Sequence, residues 1–299
     1  VGLDLLGDAL IKLPFLRCLK KIFPNSHITW LAGKGSSVFK TSLKPIASGL
    51  IDEVIENVEI GSKISEIFFP KKLPNFDIVF DTQKRLLTTL ILLKIKTKFF
   101  ISASSNFLFS DLFPSKNKEK NLSKQLLNLA LLFSNEDLNI FSESKFKKKS
   151  KKIAICPGAS VDWKRWSLEN FIKVGNFLIK RKLTPVFILG PSEKKFYPKL
   201  KKNFNHKIHI AKSSNPMDTI KIAGKCCLGI TNDTGCGHLL AASEIPIISL
   251  FGPTNYQKFA PLGNKKNVCI SSVEYCKSKK INDIPVSLVN DKIISMLKF

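Results

Sequence analysis

The sequence predicts an α/β protein of two doubly wound halves that face a central cleft. Strand-like and helix-like segments alternate along both halves of the 299-residue chain. Such alternation is typical of parallel sheets with right-handed crossovers. A lysine-rich stretch separates the two halves, and a chain of this length is sufficient for two domains of roughly 100–200 residues each.

The first half contains one long amphipathic helix and several short elements. Ala9, Leu13, Leu16 and Leu19 recur at spacings of three or four, which places them on one face of a helix over residues 8–21. Pro14 lies inside this pattern and predicts a kink or a break. The other predicted elements are strands over residues 27–31, 52–55, 77–80 and 98–101, a turn at Gly33 and Gly35, and helices over residues 82–93 and 122–133.

The second half alternates more regularly. Ser167 is a good N-cap for one predicted helix, and Pro216 with Asp218 suits the first turn of another. The predicted strands cover residues 152–156, 185–189, 207–211, 227–231 and 246–250, and the predicted helices cover residues 167–180, 193–201, 216–224 and 236–244. We therefore expect a parallel sheet with helical crossovers in this half.

The basic stretch sets the expected domain boundaries. Residues 145–152 are rich in lysine and are typical of an interdomain linker, although a solvated loop has the same composition. The N-terminal domain then covers residues 1–144, and the second domain covers residues 153–285. Because the chain opens at Val1 and few residues precede the first helix, we expect the first strand to be truncated.

Composition places the chain among globular proteins with an excess of positive charge. The formal net charge is +25, from 48 Lys and Arg against 23 Asp and Glu. This balance indicates an anionic partner, such as nucleic acid, lipid head groups or a phosphorylated substrate, but drift in composition explains it equally well. The basic residues are dispersed and no recognition motif occurs, so we expect no nucleic-acid partner.

The cysteines and the apolar segments exclude other classes. The seven cysteines form no CxxC pair, so neither a zinc site nor a disulfide framework is indicated, and free thiols fit a reducing cytoplasm. The longest apolar stretch, residues 86–100, is interrupted by Lys94, Lys96 and Lys98 and is too short and too charged to span a bilayer. We also expect no signal peptide ahead of the first domain.

Candidate chemistry lies in the loops that follow the predicted strands of the second half, because open parallel sheets bind ligands at the carboxyl ends of their strands. Lys164 follows the first of these strands, Glu193 follows the second, and the run from Asp233 to His238 follows the fourth. These loops should therefore lie along one edge of one sheet.

These residue types suit a nucleotide diphosphate. A helix N-terminus preceded by Thr234 and Gly235 can hold a pyrophosphate, and Lys164 can neutralise its charge. Glu193 can accept hydrogen bonds from ribose hydroxyls, and His238 can donate to a phosphate oxygen. No GxGxxG or Walker A run is present, which argues against a dinucleotide oxidoreductase or a P-loop enzyme.

Taken singly, each of these residues has an ordinary structural explanation. Lys164 alone is typical of a surface lysine, Glu193 of a charge that complements a helix dipole, and His238 of a structural histidine. Asp8, near the start of the first helix, is either an N-cap or a general base that faces the cleft. The hypothesis of a ligand site rests on the convergence of these residues.

The motifs resemble glycosyltransferase family 9, the ADP-heptose–lipopolysaccharide heptosyltransferases. The resembling runs are LLGDALIKLPFLRCLKKIFPNSHITWLAG, ICPGASVDWKRWSLENF, VFILGPSE and GITNDTGCGHLLAASEIPIISLFGPTNYQKFAPLG, in family order over nearly the whole chain. The D-T-G-x-x-H run with a following F-G-P-T turn is fairly specific, whereas the G-D pair alone is weak.

The resemblance implies a GT-B fold, with an acceptor-binding N-terminal domain and a nucleotide-sugar-binding C-terminal domain. It also implies a final helix over residues 286–299 that packs back towards the first domain. By position, Asp8 matches the catalytic base of the family. The residues that match its donor-binding positions are Ser160, Lys164, Glu193, Asp233, Thr234, Gly235 and His238.

The implied reaction moves heptose from ADP-heptose, or a similar nucleotide-sugar, onto a phosphorylated lipid A-core acceptor with inversion at the anomeric carbon. No Asp-x-Asp triplet occurs, and cations with a helix end can stabilise the leaving group, so we expect neither metal nor cofactor. The expected location is cytoplasmic and peripheral, on the inner face of the inner membrane, where lysines of residues 94–98 can contact acceptor phosphates or the anionic leaflet.

Departures from the family pattern leave alternatives open. Cys236 and Gly237 stand where the family often has Pro and Met, and residues 99–109 lack an expected Arg-Ile-Gly-Phe-like run. The alternatives are a glycosyltransferase that uses another nucleotide-sugar for a surface glycan, an epimerase-like relative, a non-catalytic scaffold of lipopolysaccharide assembly and, in a different class, a basic nucleic-acid-binding protein.

Overall fold

The chain folds into two compact units, residues 1–138 and residues 139–299. The computed structural model describes residues 3–115, 119–134, 150–204, 208–213 and 215–297. Residues 145–149 of the predicted linker, which covers residues 145–152, lie outside the described residues. Its last residue, Lys152, is the first residue of a strand. The predicted domain boundaries stay predictions.

The first unit has parallel strand pairs and helices in alternation. Its elements are β1 Leu3–Asp4, α1 Leu6–Ile22, β2 Thr29–Leu31, β3 Lys34–Ser37, α2 Lys44–Ala47, β4 Glu53–Ile55, β5 Phe76–Asp81, α3 Leu86–Leu92, β6 Thr97–Ser102 and α4 Leu122–Leu131. Among the described residues, β1 pairs with β3, β2 with β4 and β5 with β6, each in parallel. Where a turn was predicted at Gly33 and Gly35, the chain instead forms β3, in which Gly35 has a φ of 66°.

Helix α1 runs unbroken through Pro14, so the break considered from the sequence does not occur. Proline removes one backbone hydrogen bond from a helix interior. The apolar face compensates, because Ala9, Leu13 and Leu16 are buried in the unit and α4 packs against α1. The Ser123 hydroxyl of α4 also donates to the Ile11 carbonyl at 2.9 Å.

Polar bonds and one cavity complete the first unit. Asp81, at the carboxyl end of β5, is buried and accepts hydrogen bonds from the Thr89 hydroxyl at 2.6 Å and the Ser102 hydroxyl at 2.8 Å. It therefore ties β5 to α3 and β6. A cavity of about 760 Å³ is lined by residues of α1, β2 and β5 and of the loops that precede β2 and β5. It lies in a different unit from the loops that were predicted to bind a ligand.

The second unit is a six-stranded parallel sheet with helical crossovers. Its elements are β7 Lys152–Cys156, α5 Leu168–Lys180, β8 Thr184–Leu189, α6 Tyr197–Phe204, β9 His209–Lys212, α7 Pro216–Ala223, β10 Leu228–Asn232, α8 Gly235–Ala242, β11 Ile247–Phe251, α9 Tyr256–Phe259, β12 Val268–Ser271, α10 Ser272–Cys276 and α11 Val286–Leu297. The strand order is β12-β11-β10-β7-β8-β9, and every pairing is parallel.

The strand order makes the sheet doubly wound. The chain moves from β7 outward to β9, then returns to β10 on the other side of β7 and moves outward to β12. Strands β7, β10 and β11 are almost wholly buried, and this accounts for their continuous apolar runs. The strand order reverses between β7 and β10, and such a switch point is where open α/β sheets bind ligands.

Two elements differ from the sequence predictions. The helix predicted over residues 193–201 begins as a 3₁₀ helix over Pro191–Phe196 and becomes α-helical only at Tyr197. Strand β12 was not predicted at all. Helix α11 matches the predicted last helix; its Val289, Ile293 and Met296 join the core of the second unit, and its predicted packing towards the first half stays a prediction.

Candidate active site

The loops after β7, β8 and β10 meet beside the switch point of the second sheet. Strand β7 registers residue by residue with β10 on one side and with β8 on the other. Their carboxyl ends therefore lie side by side, as the sequence predicted. The loop after β11 joins them, because a Cβ built on Gly252 would lie 3.3 Å from the Trp163 carbonyl oxygen.

Asn232, the last residue of β10, binds the loop after β7. Its side-chain amide donates to the carbonyl oxygens of Pro157 at 3.0 Å and Gly158 at 3.2 Å, and its Oδ1 accepts from the Trp166 backbone N–H at 3.1 Å. The side chain is fully buried. One amide thus holds both ends of the segment from Pro157 to Trp166.

An ion pair crosses the same gap. The Lys164 Nζ lies 2.8 Å from the Asp233 Oδ2, and Asp233 is buried. The same Nζ lies 5.2 Å from the ring centroid of Trp163, whose side chain is largely exposed. Since Lys164 is partly buried and held from two sides, its ammonium group is fixed at the edge of the sheet, directly beside the loop that begins α8.

Helix α8 begins immediately after this ion pair. Thr234 is its N-cap residue, with extended backbone, and makes no side-chain capping hydrogen bond within the described part of the chain. No described atom lies within 4 Å of a Cβ built on Gly235. In the first turn the Gly237 N–H donates to the Thr234 carbonyl at 2.9 Å, and the space beside Gly235 is open. Other N–H groups of a first helical turn have no intrahelical acceptor, which is the property by which helix N-termini bind anions.

His238 lies at the end of the first turn of α8 and is neutral at neutral pH. Desolvation by the surrounding protein lowers its pKa to about 4, although the Asp233 carboxylate opposes that shift. A small part of the residue remains accessible to solvent. In this state the imidazole can donate one hydrogen bond but carries no charge. Lys164 therefore brings a positive charge to the start of α8, whereas His238 is a neutral donor.

Glu193 lies where the loop after β8 meets the loop after β7. A Cβ on Gly158 would lie 2.6 Å from the Glu193 carboxylate, and a Cβ on Gly190 would lie 2.8 Å from its Oε2. Both glycines therefore make room for this carboxylate. Its negative charge also acts on Cys156 and Cys236, so it faces the end of β7 and the first turn of α8.

Two thiols connect the end of β7 to the start of α8. Cys156, the last residue of β7, and Cys236, in the first turn of α8, hydrogen-bond to each other. This hydrogen bond and complete burial raise the pKa of Cys156, so its thiol stays protonated. The contact anchors the start of α8 on the end of β7.

The structure assembles most of the predicted ligand residues in one place. Lys164, Asp233 and Glu193 lie at the meeting point of the three loops, and Thr234, Gly235 and His238 follow Asp233 directly. Ser160 is exposed on the loop that Asn232 holds. The Arg165 guanidinium steadies that loop near Ser160 by donating to the Ala159 carbonyl at 2.7 Å.

Asp8 belongs to the first unit. It lies in the first turn of α1 and is exposed. The N-cap of that helix is Leu5, with no capping side chain among the described residues, so the alternative of Asp8 as an N-cap is wrong. Its carboxylate is therefore available in the first unit for another role.

Sequence reasoning missed the residues that hold the site together. Asn232, Arg165 and Cys156 contact the loops but were not singled out. Only their placement, at the ends of apolar strands or beside Lys164, distinguishes them in the sequence.

Among the described residues, no group of three or more His, Cys, Asp or Glu side chains is arranged to hold a metal ion.

A comparison with family models identifies the family of this chain. Residues 104–285, more than half of the chain, match the model of glycosyltransferase family 9 (heptosyltransferase). A curated relative, the lipooligosaccharide heptosyltransferase 2 of Campylobacter jejuni, is 27% identical over 280 residues, which cover 87% of this chain and 83% of the relative.

Solved structures show the same fold. The E. coli heptosyltransferase WaaC with ADP has a TM-score of 0.72 at 15% identity, over 98% of each chain. The E. coli ADP-heptose lps heptosyltransferase II has a TM-score of 0.64 at 17% identity, over 99% of this chain and 97% of that one. Similarity over nearly the whole chain shows the predicted GT-B fold of two Rossmann-like units.

Proposed function

The chain belongs to glycosyltransferase family 9, the heptosyltransferase family, and from this membership we propose that it transfers a heptose from ADP-heptose to the inner core of lipopolysaccharide. The acceptor is a Kdo- or heptose-bearing lipid A core, and configuration inverts at the anomeric carbon. As a member of this family, the chain is a glycosyltransferase. The donor, the acceptor and the role of each residue are our proposals.

The observation that carries the donor proposal is the Lys164–Asp233 ion pair at 2.8 Å beside the uncapped start of α8. A diphosphate fits this arrangement because the helix N-terminus and the ammonium group both attract negative charge. Glu193, with both flanking glycines, is placed to accept hydrogen bonds from ribose hydroxyls. The two E. coli structures support ADP as the nucleotide, since one contains ADP and the other is named for ADP-heptose.

In the proposed reaction, Asp8 removes the proton from an acceptor hydroxyl. The resulting oxygen attacks the anomeric carbon from the face opposite the diphosphate, and the bond from that carbon to the diphosphate oxygen breaks. Lys164 and the N-terminus of α8 stabilise the departing negative charge, and neutral His238 donates one hydrogen bond to it. Asp8 is exposed and does not cap its helix, so it is free of a structural role that would exclude this one.

The donor site is tested by ADP affinity. We expect Lys164→Ala to weaken ADP binding roughly 10- to 100-fold, because a charge-assisted contact to phosphate contributes about 1.5–3 kcal/mol. Isothermal titration calorimetry measures this change. Because Lys164→Ala leaves the Asp233 carboxylate without its cation, the double variant Lys164→Ala/Asp233→Asn is the control for the effect of that unpaired charge. Unchanged ADP affinity in both variants would refute the donor site.

The general base is tested by transfer activity. We expect Asp8→Asn to abolish heptose transfer while ADP affinity stays at the wild-type value, because the isosteric amide cannot accept the proton. Mass spectrometry of the acceptor measures transfer. Full transfer by this variant would exclude Asp8 as the base.

A second candidate keeps the site and changes the sugar. Another nucleotide-sugar for a surface glycan is the alternative, because Cys236 and Gly237, in the first turn of α8, stand where the family often has Pro and Met. Competition of ADP-, UDP- and GDP-sugars for the site separates the two. Preference for a UDP- or GDP-sugar over ADP-heptose would replace the proposal by this alternative.

We further propose that the enzyme works on the cytoplasmic face of the inner membrane, where a lipid-linked acceptor is presented. None of the helices in the described ranges combines the length and the apolar character needed to cross a bilayer. Association with the membrane would then be peripheral and would depend on surface residues.

A further inference from the structure

A short segment of the first unit exposes large apolar side chains next to lysines. It covers residues 63–72 and is called the aromatic loop below. Phe68 and Phe69 are 73% and 82% exposed, and Ile64 is 69% exposed. Scattered apolar residues are common on protein surfaces, but three such side chains within six consecutive residues form a patch that indicates a partner.

The aromatic loop has a defined conformation. The Glu66 carboxylate accepts hydrogen bonds from the backbone N–H groups of Gly61 at 2.8 Å, Ser62 at 3.0 Å and Lys63 at 2.6 Å. A 3₁₀ helix over Ile64–Ile67 follows, and the Phe69 N–H donates to the Ser65 carbonyl at 2.9 Å. The two phenylalanines therefore stand at the end of a closed turn.

The aromatic loop is anchored on the core in its middle, at Ile67, and just after its last residue, at Leu73. Ile67 and Leu73 pack against the buried cluster of Val58, Ile60, Ile91, Leu92 and Phe100. Ile67 and Leu73 are thus partly buried, whereas the other large apolar side chains of residues 64–69 are exposed beside this anchored base.

The charge around the patch is positive. Lys63, Lys71 and Lys72 are exposed and flank the phenylalanines from both ends. Glu66 is the acidic residue of the loop, and its carboxylate is turned towards the backbone of residues 61–63. An apolar tip with a rim of lysines complements a surface that is anionic outside and apolar beneath.

We propose that the aromatic loop docks the enzyme on an anionic lipid bilayer, with Ile64, Phe68 and Phe69 in the interface and Lys63, Lys71 and Lys72 at the lipid head groups. A bilayer fits better than a protein, because three side chains on one turn are too small for a stable protein interface, which buries about 800 Å² on each partner. A few apolar side chains and nearby lysines are sufficient for peripheral membrane binding.

This proposal rests on the proposed function, which places the acceptor in a membrane. It names different residues from the lysines of residues 94–98 that the sequence suggested. Lys94 and Lys96 are exposed as well, but the large apolar side chains beside them, Leu93 and Phe99, are only 37% and 40% exposed, against 69% to 82% for those of the aromatic loop.

The test is co-sedimentation of the full chain with vesicles of phosphatidylcholine alone and with added phosphatidylglycerol. We expect binding to the anionic vesicles and its loss in Phe68→Ser/Phe69→Ser. Phe113→Ser is the matched control, because Phe113 is 66% exposed on the same unit but lies outside the loop. Equal loss in both variants, or no binding by the wild type, would overturn the proposal.

The charge is tested in the same assay. We expect Lys71→Gln/Lys72→Gln to weaken binding to the anionic vesicles about 30-fold, since each lysine near such a surface contributes roughly fivefold. Lys94→Gln/Lys96→Gln is the control and should change binding much less. If the control weakens binding as strongly, attraction is spread over the protein and the aromatic loop is not its site.

Two further measurements separate the possible failures. ADP affinity should be unchanged in all loop variants. Loss of vesicle binding with intact ADP binding then shows that the loop binds lipid without being part of the donor site. If the wild type does not bind ADP, the proposed function fails, and this result says nothing against the loop. Light scattering after size-exclusion chromatography gives the mass. A wild-type dimer that Phe68→Ser/Phe69→Ser converts to a monomer would identify the loop as a protein interface and overturn the proposal.

Discussion

At the residue scale, the absence of one methyl group at Gly158 decides where Glu193 lies. A Cβ at this position would lie 2.6 Å from the carboxylate, too close to be accommodated without movement. Because the carboxylate is the far end of a flexible side chain, the fold tolerates the clash but Glu193 leaves its place. If Glu193 contacts the nucleotide as proposed, the size of residue 158 acts on ligand binding rather than on folding.

We expect Gly158→Ala to weaken ADP binding about tenfold, the value of one good hydrogen bond to a ribose hydroxyl. Calorimetric titration with ADP measures it. Gly7→Ala is the control, since no described atom lies within 4 Å of a Cβ built there. Wild-type affinity in Gly158→Ala would show that Glu193 does not contact the nucleotide.

The neutral state of His238 links stability to pH. The pKa falls from 6.5 to about 4 on folding because burial penalises the imidazolium. Between these values the unfolded state binds more protons, so the histidine lowers stability as the pH falls from about 6.5 to 4. Over the whole window the loss is at most about 3 kcal/mol.

We expect His238→Gln to remove this part of the acid sensitivity. Urea unfolding at pH 7 and pH 4.5 measures it, and the difference between the two free energies of unfolding should be smaller in the variant. ADP should also raise the histidine pKa, because phosphate favours the imidazolium. An imidazole NMR titration with a midpoint near 6.5 in the free enzyme would contradict both expectations.

Some site residues could be recognised from the sequence because the strands that precede them could be recognised. Lys164 and Glu193 follow clearly apolar strands, and parallel topology alone then places them at one edge. The role of Asn232 could not be recognised in this way. Its amide is useful only because Pro157 and Gly158 lie opposite it in space, 75 and 74 residues away in the chain.

At the element scale, Asn232 makes the loop after β7 a rigid part of the sheet. The amide makes three hydrogen bonds in a buried place, two to carbonyls at the start of the loop and one to the Trp166 N–H at its end. The position of Lys164 depends on this attachment, because Lys164 lies between the two attachment points.

We expect Asn232→Ala to destabilise the protein by about 2–4 kcal/mol, as three buried hydrogen bonds are lost, and to weaken ADP binding. Thermal unfolding and ADP titration measure the two effects. Asn264→Ala is the control, because Asn264 is also buried and bonds the Glu244 carbonyl and the Lys266 N–H, beyond the opposite end of α8. It should cost stability and leave ADP affinity unchanged; equal affinity losses would deny Asn232 a special role.

Element predictions failed where tertiary packing overrides local preference. Pro14 indicates a kink or a break, but burial of its neighbours keeps α1 continuous. Strand β12 is only four residues long, Val268–Ser271, and its first two residues are half-buried, so its short pattern is weak.

At the scale of the whole molecule, the doubly wound second unit was predictable and the details of the first were not. Long apolar strands that alternate with helices leave few arrangements for a parallel sheet. In the first unit, β2 and β4 have only three residues each, and strands this short produce only a weak alternation pattern in a sequence.

We expect ADP to protect the second unit as a whole. At 100 times its dissociation constant a ligand adds about 2.7 kcal/mol to stability. Hydrogen exchange with mass spectrometry should therefore show slower exchange in residues 157–166, 190–193 and 232–238. The aromatic loop, residues 63–72 in the first unit, should exchange equally with and without ADP. Protection confined to the first unit would place the nucleotide elsewhere.

Trp166, at the end of the loop after β7, is bonded to Asn232, which lies 66 residues further along the chain. This separation has a consequence for synthesis of the protein. A ribosome adds about 5–20 residues per second, so Asn232 emerges roughly 3–13 s after Trp166. During that interval the segment that carries Lys164 has been made, but the three hydrogen bonds of Asn232 that attach it to the sheet cannot form. Nascent chains that end before β10 should therefore be cut by proteases between Pro157 and Trp166, and those that extend beyond it should resist.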